Sequence, residues 1–524
     1  MIALPVLPIL IPLLAAAAGL LGWRSVLWQR VVGVAGCVGL FAAAVALIVA
    51  VDRHGMLVLQ VGAWPAPFGI TLAADRFGSI MVGLAAFMGL MVCVFSLAEA
   101  TRRDVHRGFF PLLLVLLGGV GGAFLTGDLF NLYVWFEVLL IASFVLISLG
   151  GGRAQLEGAV KYVALNLVGS MLFLTATGVL YGTAHTLNLA DLHLAMHEVR
   201  QQNPAMATAL AAVFAIAFAL KAAVFPLFFW LPASYHVPSA GVCAVFAALL
   251  TKVGVYALVR VFTLVFPGEE IVITAVLIAA GITMLTGVLG AVTQYEMKRI
   301  LAWHSVSQVG YIVAGVGLLC VPDPAVQALG LAATVVFLIH HGTIKSTLFL
   351  VAGLIDRREG TTQLRPIGGL ALASPGLAVL FLLPALSLAG LPPSSGFWAK
   401  LAVLSALAEG GRWWVLAAAL AAGLLTIMSM MKIWNEAFWK ERPSDSSHTP
   451  RRLPAALVTP VVLLVLGTTA LGVWPQPLLG YAQRAATQLL DPAAYVEAVG
   501  VLPPPPETME AIDVTAESSR AAPP

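Results

Sequence analysis

Two stretches decide what kind of protein this is: AAVFAIAFALKAAVFPLFFW (residues 211–230) and VCAVFAALLTKVGVYALV (residues 242–259). Each is apolar along the length of a membrane-crossing helix, and each carries one lysine near its middle, Lys221 and Lys252. An ionised side chain at mid-bilayer costs on the order of several kcal/mol. It persists only if it faces the protein interior, finds a partner or gives up its proton. A lysine that releases its proton at low cost is a proton carrier. The two stretches therefore point to a polytopic membrane fold with proton chemistry inside it.

Composition agrees. The chain of 524 residues is 60% hydrophobic and 10% charged, with a mean hydropathy of +0.96. Soluble domains carry about 25% charged residues, so water is not the main solvent of this fold. The net charge of +3 comes with no basic cluster of the kind that binds nucleic acid. Cys37, Cys93, Cys243 and Cys320 stand singly in apolar segments, without disulfide or metal spacing. No phosphate-binding loop, dinucleotide fingerprint, CxxC or haem-attachment motif is present, so no cofactor is expected. The opening MIALPVLPILIPLLAAAAGLLGW lacks a basic region and reads as a first membrane helix, not a cleaved signal.

Charged and polar breaks divide the chain into apolar runs of about 20 residues, the length that crosses the hydrocarbon core. They fall near 2–22, 31–51, 77–98, 109–126, 129–150, 160–182, 205–231, 238–264, 271–293, 299–320, 326–354, 371–407, 413–438 and 453–474. This predicts an all-α polytopic membrane protein of about fourteen transmembrane helices. The segment LNLADLHLAMHEVR (187–200) is amphipathic and expected at the interface. The tail 501–524, Pro-rich and acidic, is expected to be disordered. Arginines and lysines follow the odd-numbered runs (Arg24, Arg102, Arg153, Lys298, Arg357, Lys440), and acids follow the even ones (Asp191, Glu269, Asp323). By the positive-inside rule the former loops are cytoplasmic and both termini face outside a plasma membrane.

Prolines interrupt runs 7 (Pro226, Pro232) and 12 (Pro384, Pro392, Pro393), and Gly342 is expected to break run 11. Broken helices at membrane depth line ion paths, often in paired halves of an inverted repeat. The broken runs lie five apart, and PSAG (Pro238–Gly241) echoes PSSG (Pro393–Gly396). The expected organisation is helices 1–3 in 1–108, a five-helix repeat in 109–264, an inverted second repeat in 265–440, and helix 14 with a C-terminal segment in 441–500.

Glu137, in DLFNLYVWFEVLLIASFVLI (128–147), lies nine residues past Asp128, roughly 14 Å along a helix and near mid-depth. It is either a structural carboxylate bonded to a neighbouring helix or, as intramembrane acids usually are, a functional group. Lys221 and Lys252 are its natural partners. Burial favours the neutral amine and a nearby carboxylate favours the ammonium. At an effective dielectric near 20 and ~6 Å, one such pair is worth roughly 3 kcal/mol, about two pKa units. Opening or closing the Glu137–Lys221 pair would then load or release a proton on a neighbour. FLIHHGTIKSTLFLVAG holds His340, His341 and Lys345, the last two four apart on one helix face. A histidine beside a lysine suits a relay. Adjacent histidines point about 100° apart on a helix, so no metal site is expected there. Lys400 follows the second break in LAGLPPSSGFWAK. Lys161, His304, Ser305, Ser307 and Gln308 either extend a polar wire or are ordinary helix-packing residues. Among deep charges only Glu137 is acidic, which favours a proton path over a sodium site in this chain.

FPLFFWLPASYHVPSAGVCAVFAALLTKVGVYALVR (225–260), RILAWHSVSQVGYI (299–312) and IHHGTIKSTLFL (339–350) resemble segments of a known family. These are the proton-translocating, antiporter-like subunits shared by respiratory complex I, membrane hydrogenases and Mrp-type cation/proton antiporters. The likeness spans roughly 75–440 and is strongest to the D subunits of Mrp antiporters. It implies a mid-membrane glutamate at Glu137, a broken-helix lysine at Lys221, a central lysine at Lys252 and a terminal charge at Lys400. Ala233 stands where many relatives have an acid, and Phe337 where many have a histidine whose role passes to His340. The resemblance implies a proton-translocating subunit of a multisubunit Na⁺(K⁺)/H⁺ antiporter, not an enzyme, with other membrane subunits as partners. Protons would pass from Lys221 and Lys252 through His340, His341 and Lys345 to Lys400. The alternative it implies is a proton-pumping subunit of a redox complex of the complex I or hydrogenase type.

Overall fold

The computed structural model describes residues 3–442 and 451–501, and the tail expected to be disordered lies almost wholly outside them. Helices α1 (Leu7–Leu21) and α2 (Val26–His54) lead into an antiparallel hairpin of β1 (Leu57–Gln60) and β2 (Thr71–Ala74). Then follow α3 (Arg76–Glu99), the short α4 (Arg102–His106), α5 (Phe109–Leu125), α6 (Leu129–Ser148), α7 (Arg153–Ala184) and the amphipathic α8 (Leu189–Gln202). The middle of the chain gives α9 (Pro204–Ala222), the single turn α10 (Trp230–Ser234), α11 (Ala240–Arg260), α12 (Glu270–Thr293), α13 (Met297–Gly317) and α14 (Pro324–Glu359). The last part gives the short α15 (Leu370–Ala373), then α16 (Pro375–Ala389), α17 (Ser395–Glu409), α18 (Trp413–Ile433), α19 (Ala455–Val473), α20 (Gln476–Leu489) and α21 (Pro492–Val499).

Among the described residues, eleven helices are long and apolar enough to cross a membrane; α5 and α16 are shorter apolar helices. Helix starts are set by side-chain oxygens. Asp75, Asp128, Asn203, Asp323 and Ser394 each accept a backbone N–H from the first turn they precede. The most apolar stretches of α11 and α14 are wholly buried, whereas those of α1 and α18 are only one-third buried. The outer helices thus present leucines such as Leu14, Leu27 and Leu424 to the surroundings, and α11 and α14 form the axis.

The loops sort to two ends. At one, Glu99 accepts from the N–H groups of Ala240 and Gly241 at 2.7 and 2.9 Å, Glu296 bridges to Gln363, and Lys440 reaches Arg365 O. At the other, Thr126 pairs with Leu72, Asp128 with Asn188, and α20 lies across the start of α3.

Three expectations change. Run 11 is not broken: α14 is one helix of 36 residues. Glycine weakens a helix but removes no hydrogen bond. Gly342 instead allows close packing, since a Cβ there would stand 2.8 Å from the Leu84 side chain and 3.4 Å from Ala248 O. The PSAG and PSSG motifs do not occupy matching places: PSAG opens α11 after the first break, whereas PSSG lies in the second break and opens α17. Lys161 is exposed, paired with Glu157 at 2.6 Å.

Candidate functional site

The two breaks create the site. α9 stops because Ala223 adopts a left-handed conformation (φ +63°) and Pro226, three residues on, offers no N–H. The loosened segment is tied back: Trp230 Nε1 donates to Leu220 O at 2.9 Å, and Phe225 N donates to Thr283 Oγ1 on α12 at 2.9 Å. α16 stops at Gly390, whose φ of +88° suits glycine. A helix C-terminus carries unpaired carbonyls and a partial negative charge, which favours a cation. α16 uses this: Lys400 Nζ donates to Ala389 O, its last residue, at 2.9 Å. Lys221 lies in the last turn of α9, but its ammonium turns to α7 instead. Gly254 lets the first break sit against α11: a Cβ there would be 2.6 Å from Ala222 N.

Lys221, Lys252, Lys345 and Lys400 are between 0% and 7% exposed, so protein groups must stand in for water around them. Lys221 Nζ donates to Asn166 O at 2.9 Å and to Ser170 Oγ at 2.8 Å. Ser170 in turn donates to Glu137. The expected Glu137–Lys221 couple is therefore bridged by a hydroxyl rather than joined directly. Lys252 donates to Ala247 O and, at 3.4 Å, to Thr251 Oγ1 of its own helix. Lys345 donates to Leu301 O of α13 and lies 5.4 Å from the Phe349 ring centre. Lys400 lies 5.3 Å from the Tyr311 ring centre and lines a cavity of about 410 Å³ between α17 and α18.

His304, His340 and His341 are fully enclosed. His340 Nδ1 meets Ser395 Oγ at 2.9 Å, and Ser395 Oγ meets Thr468 Oγ1 at 2.6 Å. His304 Nε2 meets Ser429 Oγ at 2.9 Å. Both ring nitrogens of His341 and the whole Gln308 amide lack a protein partner. Buried polar atoms in that condition are the usual seats of bridging water. Ser305 bonds only its own helix, to Leu301 O. Ser307 serves packing: it donates to Met284 O at 2.9 Å, where α13 crosses α12. Among the described residues no group of three His, Cys, Asp or Glu is arranged to hold a metal ion.

Lys161 lines a separate polar cavity of about 400 Å³ with Glu157, His236, Gln294 and Arg299, beside α10. Burial, and next the nearby Arg299, push His236 down to about 4, so it is neutral at pH 7. Sequence reasoning missed Ser170 and Asn166, and the buried Arg260–Asp75 pair, with 2.5 Å between Arg260 Nη2 and Asp75 Oδ1. Asn166 and Ser170 are polar residues four apart in an apolar run, a signal that could have flagged them. Asp75 reads in sequence as a helix cap only.

Residues 126–426, which hold Glu137 and the buried Lys221, Lys252, Lys345 and Lys400, match the family described as NADH:quinone oxidoreductase/Mrp antiporter, TM. The chain belongs to this family. Among its antiporter-family relatives, the D-type subunit of the Na⁺/H⁺ antiporter of Alkalihalophilus pseudofirmus is 43% identical over 497 residues, 95% of this chain and 99% of the relative. A chain of the solved Mrp complex from a Dietzia species superposes with a TM-score of 0.88 at 33% identity, covering 95% of this chain and 99% of that one. A chain of respiratory complex I from Thermus thermophilus gives a TM-score of 0.79 at 26% identity, covering 95% and 100%.

Proposed function

We propose that this chain is the D-type, proton-translocating subunit of a multisubunit Na⁺(K⁺)/H⁺ antiporter in a plasma membrane. The observation that carries the reading is the set of buried titratable groups in the matched region: Lys221, Lys252, His340, His341, Lys345 and Lys400, with the half-buried Glu137 beside Lys221. We read them as one path from Glu137 and Lys221 to Lys400. The ammonium groups of Lys252, Lys345 and Lys400 are held by carbonyl or hydroxyl oxygens rather than by a fixed carboxylate, so each can be discharged without stranding a buried anion. His341 and Gln308, buried and with polar atoms free of protein partners, fit the span between Lys345 and His340. His304 is a side member of this series. Partner membrane subunits couple the proton movement to Na⁺ or K⁺, because four buried lysines would repel a cation here.

The finer architecture belongs to the same reading. Fourteen crossings arise when α5, α13 and the interrupted α16–α17 pair join the eleven long apolar helices. The basic loops gathered at one end of the bundle support a cytoplasmic position for that end, with both termini outside. Five-helix units at 109–264 and 265–440 are supported by the paired interruptions, α9–α10 and α16–α17, each with a buried lysine beside it.

In the complete complex reconstituted into vesicles, Glu137→Gln or Lys221→Met should abolish cation-driven proton flux. Full flux in both variants, with all subunits assembled, would sink the reading. The redox-pump alternative draws on the shared fold with complex I; the higher identity to antiporter subunits favours antiport.

A further inference from the structure

The charged couple at the first break is held by a helix that contributes no charge to it. α7 offers Lys221 a cradle of Asn166, Gly169 and Ser170. The ammonium donates to Asn166 O and Ser170 Oγ, and Ser170 donates onward to Glu137. Gly169 completes the cradle, because a Cβ there would stand 3.0 Å from Leu220 Cδ2 and 3.3 Å from Lys221 Cε. Ser170 is 4% exposed, Asn166 2% and Lys221 3%, so the lysine side of the couple is closed to bulk water, and Glu137 is half-buried.

A serine hydroxyl has one proton to give and lone pairs to receive another. Here donor, hydroxyl and acceptor form one chain. We infer that Ser170 is the proton-transfer bridge that neutralises the Glu137–Lys221 couple in place. In one concerted step an N–H bond of Lys221 breaks as an O–H bond forms on Ser170. The original Ser170 O–H bond breaks as an O–H bond forms on Glu137. Ammonium and carboxylate become amine and carboxylic acid, the serine ends with the one proton it began with, and no co-reactant is needed. The field acting on Lys252 changes without any helix moving. Enclosure favours the step, since two neutral partners are cheaper to hold in a low dielectric than two charges. This rests on the relay reading above and replaces separation of the couple with its discharge.

The test uses the complete complex in vesicles, with Ser170→Ala, Ser170→Thr and Glu137→Gln. Ser170→Ala should lower cation-driven proton flux at least about tenfold and shift its pH profile. Ser170→Thr, which keeps a hydroxyl, should restore both. A second readout does not need turnover: the infrared carboxyl band lost in Glu137→Gln should move in Ser170→Ala and stay in Ser170→Thr. Wild-type flux and an unchanged pH profile in Ser170→Ala overturn the bridge. So does an equal loss in Ala and Thr with an unmoved band, which marks Ser170 as packing alone. Full flux in Glu137→Gln defeats the relay reading itself, a result distinct from failure of the bridge.

Discussion

At the scale of single residues, enclosed charged groups are governed by the oxygens around them. Asp128 shows this at the edge of the bundle. Burial lifts its carboxyl from the ordinary 3.8 to about 6, against the backbone N–H groups of Asn131 and Phe130. A folded value above the unfolded one means that the fold prefers the neutral acid. Stability is therefore highest below the unfolded value near 4 and falls as pH rises through about 6, by roughly 2–3 kcal/mol. Asparagine caps helices as well as aspartate does and cannot ionise. Asp128→Asn should match the wild type in melting temperature below pH 4 and exceed it at pH 7. A wild-type profile in the variant would refute this. Glu137, Lys221, Lys252 and Lys400 were legible as residues because a charge inside an apolar run has few harmless explanations. Ser170 was not, because a serine in an apolar run is usually a packing residue.

At the scale of elements, the interrupted helix α16 does what a carboxylate would do in water: it turns its carbonyl end towards the Lys400 ammonium. Prolines announced the interruptions at 226 and 392–393, while the left-handed residue at 223 had no sequence signal, since alanine rarely adopts that conformation. Gly342 announced a break that does not exist, because the sequence does not say whether a helical glycine serves a kink or a close contact. The C-terminal helices form a second device. α20 is pinned to the start of α3 by Tyr481 Oη on Ser79 Oγ at 3.0 Å and Gln488 on Arg76 N at 3.0 Å, and to the end of α2 by Arg484 on Asp52 at 3.1 Å. α21 sets Tyr495 5.9 Å from the guanidinium of Arg260, over its pair with Asp75. A chain truncated after residue 475 should melt several degrees lower in detergent, by uncovering a buried ion pair whose loss of support costs on the order of 3 kcal/mol. An unchanged melting curve would show that the cover is idle.

At the scale of the whole molecule, the arrangement of charge separates what this chain does from what its complex does. Its axis helices α11 and α14 carry Lys252 and Lys345, each held by a carbonyl oxygen rather than by an acid. Glu137, the mid-depth carboxylate, is already engaged through Ser170. The purified chain reconstituted alone should show no Na⁺-driven proton flux, and the complete complex should restore it. Flux from the chain alone would place a cation site inside it and refute the division of labour.

Sequence alone determined the membrane class, the approximate boundaries of the apolar runs, the family and the identity of the buried lysines. All of these follow from local composition: run length against bilayer thickness, and the cost of a charge in hydrocarbon. The tertiary structure alone decided who holds each charge. The hydroxyl of Ser170, the carbonyl of Asn166, the carbonyl end of α16 and the partnerless nitrogens of His341 come from helices far apart in sequence. A hydrogen bond is made or lost over about 1 Å, a precision that helical periodicity does not carry.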